Sequence, residues 1–220
     1  MPLLAYCIAE AEAKIEVPRS GVQAKSIWTV SESGLVSFIS DYSAAADRVQ
    51  VRSAVLEFNG VLQHLLRQTT IAPFRFPTVV ADEAEMRSFL REHAGEYLGN
   101  LQRLQGAVQM EINLTLDDSL KDPALSGAQY LRARQARRQT LAATAASLRK
   151  TLAKWTKDWR EHESSGGTRC YLLISRDTVP LVLGQLKSIQ LDGDLHARVT
   201  GPWPATEFLT GKPSRSREKS

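Results

Sequence analysis

Four histidines, two cysteines and two adjacent carboxylate pairs are the side chains best suited to chemistry in this sequence of 220 residues. A metal site needs three or four ligands brought together at short, regular spacing. His64, His93, His162 and His196 lie far apart along the chain, so no metal is expected. The helical patterns described below put His64 and His93 on helices and His162 at a helix end. Each reads as a surface or core-edge residue. Cys7 and Cys170 sit in apolar, strand-like runs, where cysteine acts as a small hydrophobe. Cys170 with His196 is the pair a nucleophilic mechanism would need, and nothing in the spacing joins them. Asp82-Glu83 and Asp117-Asp118 fall at element ends, where carboxylates cap helices or solvate turns. There is no glycine-rich phosphate loop and no G-x-S-x-G elbow. The expectation is no catalytic residue, no cofactor and no enzyme.

The elements that would carry these residues follow from periodicity. Leu3–Ala11 reads as a strand. Residues 26–30 and 35–40 alternate around the turn-like Ser31-Glu32-Ser33-Gly34, a hairpin signal. Val51, Val55, Phe58, Leu62 and Leu65 recur at helical spacing. Residues 69–81, with two prolines, suit a short strand or an extended loop. Asp82 can cap a following helix, whose stripe is Met86, Phe89 or Leu90, Tyr97, Leu101 and Leu104, stopped by Gly106. Val108–Leu116 alternates strictly and is the clearest strand.

A polar connection over 117–127 then leads to one long helix, 128–162. Its apolar seam is Leu141, Ala145, Leu148, Leu152, Trp155 and Trp159, at heptad steps. After a break at 164–167 come a strand (170–174), a helix (179–189, with Pro180 in its first turn) and a strand (195–200). The fold class is therefore α+β, with two small sheet-plus-helix domains. The expected division is 1–105, then 106–210 with the long helix, then a disordered basic tail, 211–220. The second half is one strand short of a ferredoxin-like unit.

Net charge is +4, unevenly spread. Residues 129–163 carry nine Lys or Arg against Asp158, Glu161 and Glu163, and residues 81–96 are acidic. Such asymmetry favours an acidic protein partner or self-association. No nucleic acid is expected, because no DNA- or RNA-binding motif accompanies the basic helix and its tryptophans lie on the apolar seam. No apolar run approaches a membrane span. The start lacks a basic leader, so no signal peptide is expected and the cytoplasm is the expected compartment.

Three segments carry a resemblance. They are Pro73-Phe74-Arg75-Phe76-Pro77-Thr78-Val79-Val80, then Gly127-Ala128-Gln129-Tyr130-Leu131-Arg132-Ala133-Arg134, then Thr200-Gly201-Pro202-Trp203-Pro204 with Phe208 beyond it. In this order and spacing the chain resembles the gas vesicle protein L and F family over nearly its whole length. Pro77 stands where the family usually has glycine, and Ala205-Thr206-Glu207 where it usually has a proline and an aromatic. The resemblance implies two domains, the second ferredoxin-like with a long helix. It implies an accessory or minor structural protein of gas vesicle assembly, cytoplasmic or on the vesicle. It would bind the hydrophobic shell protein and other vesicle proteins, with no cofactor.

The candidate partner-binding residues are Arg75, Tyr130, Arg132, Arg134, Arg137, Arg138 and Trp203. For Arg75 an internal ion pair or cation–π contact is the plainer reading. For Tyr130, Leu131 and Arg132 it is packing on the preceding sheet. Arg134, Arg137 and Arg138 should face solvent. Trp203, held between prolines, either plugs the second domain or anchors a partner. An apolar patch beside the basic helix face is expected. The alternatives are an enzyme with an inter-domain site, or a family relative serving another cytoplasmic complex. They part on whether a pocket gathers polar groups or a surface stays broad and apolar. The sequence specifies no oligomeric state.

Overall fold

The structure, a computed structural model, describes residues 1–43, 48–117, 127–164, 166–189 and 193–210. The chain divides into two compact units, Met1–Gly106 with the segment from Trp203 onward, and Ala107–Pro202.

The first unit holds β1 (Leu3–Glu10), β2 (Ile27–Glu32), β3 (Leu35–Asp41), α1 (Arg48–Leu66), β4 (Ala72–Val80) and α2 (Glu83–Arg103). Its antiparallel sheet has the order β2-β3-β1-β4. The β2–β3 turn needs positive φ at both central residues, and Ser33 (51°) with Gly34 (79°) supplies it. Leu3, Ala5 and Ile8 of β1 join Met86, Leu90 and Leu101 of α2 in one core. Tyr6 instead stacks on Phe58 of α1, with ring centroids 5.1 Å apart. A strand covered on both faces is buried throughout, which explains the unbroken apolar run at the start of the sequence. The N-cap of α2 is the expected one: Asp82 Oδ1 accepts from the Glu85 amide at 2.9 Å, and Glu85 Oε2 accepts from the Ala81 amide at 2.6 Å.

The second unit holds β5 (Ala107–Leu116), α3 (Gly127–Leu152), β6 (Thr156–Ser164), β7 (Gly167–Ser175), α4 (Val179–Lys187) and β8 (Leu195–Trp203), whose last residue belongs to the first unit. The sheet order is β6-β7-β5-β8. This β-α-β-β-α-β series is the ferredoxin-like arrangement.

The strand the sequence lacked is β6, and it replaces the end of the expected helix 128–162. The helix stops at Leu152, and a turn over Ala153–Trp155 leads into the strand. Leu141, Ala145, Leu148 and Leu152 are the buried seam, as the heptad steps indicate. Trp159 continues that spacing by coincidence; it lies on β6 opposite Leu172. The reason is tertiary. β7 is buried along most of its length and pairs on both edges, with β5 on one side and β6 on the other. Those pairings outweigh a helical period that only Trp155 and Trp159 support. Thr156 Oγ1 donates to the Leu152 carbonyl at 3.0 Å, satisfying one of the helix's last acceptors. His162 is accordingly a strand residue, not a helix terminus.

The expected second domain, 106–210, needs a second correction, at its end. Residues 203–210 pack with the first unit. Phe208 is fully buried. Asn100 Nδ2 donates to the Thr210 carbonyl and its Oδ1 accepts from the Thr210 amide, at 2.9 and 3.0 Å. Arg103 donates to the Phe208 carbonyl. The expected tail, 211–220, lies outside the described residues, as does most of the polar connection before α3.

Candidate protein-docking site

The residues suited to chemistry are spread over both units and tied up locally. His64 Nε2 lies 3.3 Å from the Glu16 carbonyl. His93 stacks on Phe89, and its Nδ1 lies 2.9 Å from that residue's carbonyl. His162 meets the Tyr171 ring edge-on at 5.2 Å. His196 Nε2 is 3.0 Å from Asp117 Oδ1, both exposed. Burial pushes the Cys7 thiol far up, and burial with the nearby Glu161 carboxylate pushes Cys170 up to about 12. Neither is a thiolate near neutrality. Among the described residues no group of three or more His, Cys, Asp or Glu is placed to hold a metal. No described helix is long and apolar enough to cross a membrane.

Helix α3 is different. It runs 26 residues, about 39 Å. Its second half packs through Leu141, Ala145, Leu148 and Leu152. Its first half, residues 127–140, has no buried residue. The sequence explains the contrast: QYLRARQARRQ offers no apolar stripe, while the second half repeats Leu and Ala at helical spacing. Tyr130 is 41% exposed and Leu131 62%, so neither packs on the preceding sheet. No Asp or Glu occurs anywhere in the helix.

The four arginines here are not equivalent. Arg137 donates Nη1 to the Asp117 carbonyl at 3.1 Å and Nη2 to the Leu116 carbonyl. It is a tie to the end of β5. Arg138 pairs with Glu163 of β6 at 3.2 Å, both side chains well exposed. Arg132 and Arg134 are exposed and, among the described residues, have no ion-pair partner.

Two candidates lie elsewhere. Arg75 is exposed on β4, an edge strand of the first unit, and its carbonyl accepts from Thr78 Oγ1 at 2.6 Å. Trp203 is half-buried at the end of β8. The structure thus gathers Tyr130, Arg132, Arg134, Arg137 and Arg138 on one helix and puts Arg75 on β4 and Trp203 at the end of β8.

One feature escaped the sequence. In the second unit an apolar groove of about 400 Å³ is lined by Ile112, Leu148, Leu183, Leu186 and Val199, with Lys187 as its charged residue. A single cation among aliphatic side chains is no convergent polar site of the catalytic kind. In α4, Val179, Val182, Leu183 and Leu186 share one face of about 100° and Leu181 lies opposite, an ordinary amphipathic pattern that does not mark a groove.

Residues 2–210 match the family model described as gas vesicle synthesis protein GvpL/GvpF. Among curated proteins none matches the sequence. The fold is similar to the crystal structure of the gas vesicle protein GvpF from Anabaena sp. PCC7120, with a TM-score of 0.73 and 16% identity, covering 95% of this chain and 96% of that one. It is also similar to GvpF from Microcystis aeruginosa, with a TM-score of 0.71 and 14% identity, covering 95% and 99%. The chain therefore belongs to the GvpL/GvpF family of gas vesicle synthesis proteins.

Proposed function

We propose that this chain is a cytoplasmic assembly or minor structural protein of the gas vesicle that works by holding other vesicle proteins, the hydrophobic shell protein first among them, and catalyses nothing. The observation that carries this reading is the first half of α3. It is an unburied, acid-free helix bearing Arg132 and Arg134 without ion-pair partners among the described residues, and it exposes Tyr130 and Leu131 beside them. Arginine and tyrosine, with tryptophan, are the residue types enriched at interface hot spots. A partner with acidic and apolar residues would neutralise the two arginines while covering both side chains.

The test is co-purification of the full chain with the small shell protein, wild type against Arg132→Glu/Arg134→Glu. Capture by the wild type and its loss in the double variant is the expected outcome. Equal capture by both would remove α3 from the proposal, and no capture by either would remove shell binding.

A further inference from the structure

Among the described residues the second unit leaves part of its core open. Only Val182 of α4 is buried, and Leu181 is 57% exposed. Leu183 and Leu186, one helical turn apart and each only half-buried, line the groove over the sheet, and Ile189 continues their line. The floor is core: Ile112 is fully buried and Leu148 nearly so. β8 forms the far wall through Ala197 and Val199, alternate residues on one face of the strand. Covering aliphatic surface of this kind contributes about 25 cal/mol per Å², so an open groove of core-type side chains is a place where an occupant gains most. The charged residue of the lining is Lys187, exposed in the last turn of α4.

We infer that this groove seats a short amphipathic segment of a partner protein, two or three aliphatic side chains followed by a carboxylate that meets Lys187. The charge complementarity commits the groove to that occupant: an aliphatic surface alone would take any apolar body, whereas the ammonium selects an acid beside the apolar side chains. The inference rests on the docking role proposed above and names its partner chemistry. Leu148 ties the groove to α3, ten residues and about 15 Å along the axis from Arg138. An acidic amphipathic partner can therefore engage both surfaces of the same unit.

The test uses the full chain and anilinonaphthalene sulfonate, a dye with an apolar body and one anionic group. Ala197→Trp fills the groove from an exposed position, and Lys187→Glu reverses its charge on an exposed helix end where folding is not at stake. The wild type is expected to enhance the dye's fluorescence. Ala197→Trp should abolish most of that signal, and Lys187→Glu should weaken binding on the order of tenfold. Arg132→Glu/Arg134→Glu should leave the dye signal unchanged. The shell protein, or a synthetic amphipathic peptide ending in glutamate, should displace the dye. Unchanged dye binding in both groove variants overturns the inference. So does capture of the shell protein without displacement, or a change of oligomeric state in Ala197→Trp, which would make a second copy the occupant. If the shell protein is not captured at all, the docking role fails, and peptide displacement still decides the groove.

Discussion

Arg137 Nη1 donates to the Asp117 carbonyl at 3.1 Å, while the neighbouring Arg138 reaches across to Glu163 of β6. Two adjacent arginines on one helix therefore do different work. Arg137→Ala leaves the Leu116 and Asp117 carbonyls without their cationic donor and should lower stability by about 1 kcal/mol. It should leave partner capture unchanged. Urea unfolding alongside co-purification checks both halves. Loss of capture at unchanged stability would make Arg137 a contact residue after all.

Gly167 opens β7 where a Cβ would lie 2.1 Å from the Leu114 carbonyl oxygen. The obstacle is backbone, which cannot swing aside. Gly167→Ala should therefore cost about 3 kcal/mol through forced strand displacement. The preceding Gly166 faces open space, and Gly166→Ala should stay within about 0.5 kcal/mol of the wild type. Thermal unfolding of the two variants side by side gives the comparison, and equal effects would contradict it.

The buried thiols make stability fall with alkali. The unfolded chain releases a cysteine proton near the ordinary value of about 8.5. The folded chain holds that of Cys170 until about 12, because burial opposes the thiolate and Glu161 adds to the effect. Burial holds the Cys7 thiol and the Tyr6 hydroxyl upward in the same direction. This contribution is complete below the lower value and is lost as pH rises between the two. Denaturant midpoints should be flat with respect to these groups below pH 8 and decline from about pH 9 upward. Cys170 should resist alkylation in native buffer and react once urea unfolds the chain. Rapid native labelling would contradict its burial.

Much of the fold was legible from pattern. The hairpin turn at Ser33-Gly34, the Asp82 cap and the alternation of Val108–Leu116 are local signals, and local signals survive folding. β6 was illegible because its sequence, Thr-Lys-Asp-Trp-Arg-Glu-His-Glu-Ser, has one buried side chain and no alternation of its own. It is a strand because β7 lies beside it. The return of residues 203–210 to the first unit was equally non-local, resting on Asn100 and Arg103, about a hundred positions upstream. The basic face of α3 was visible as composition. Which of its arginines are tied down was not, since Glu163 and the Leu116 and Asp117 carbonyls are brought to it only by the sheet. The groove depends on where α4 stands relative to β8, which no periodicity records.

The claim at the centre is that this chain acts through the surface of α3. The measurement that tests it most directly is the dissociation constant of the purified chain with the small shell protein, at low and high salt, for the wild type and for Arg132→Glu/Arg134→Glu. The wild type should bind, and the double variant should bind on the order of tenfold more weakly or worse, with a shallower dependence on salt. Identical affinity and identical salt dependence in the two proteins would contradict it.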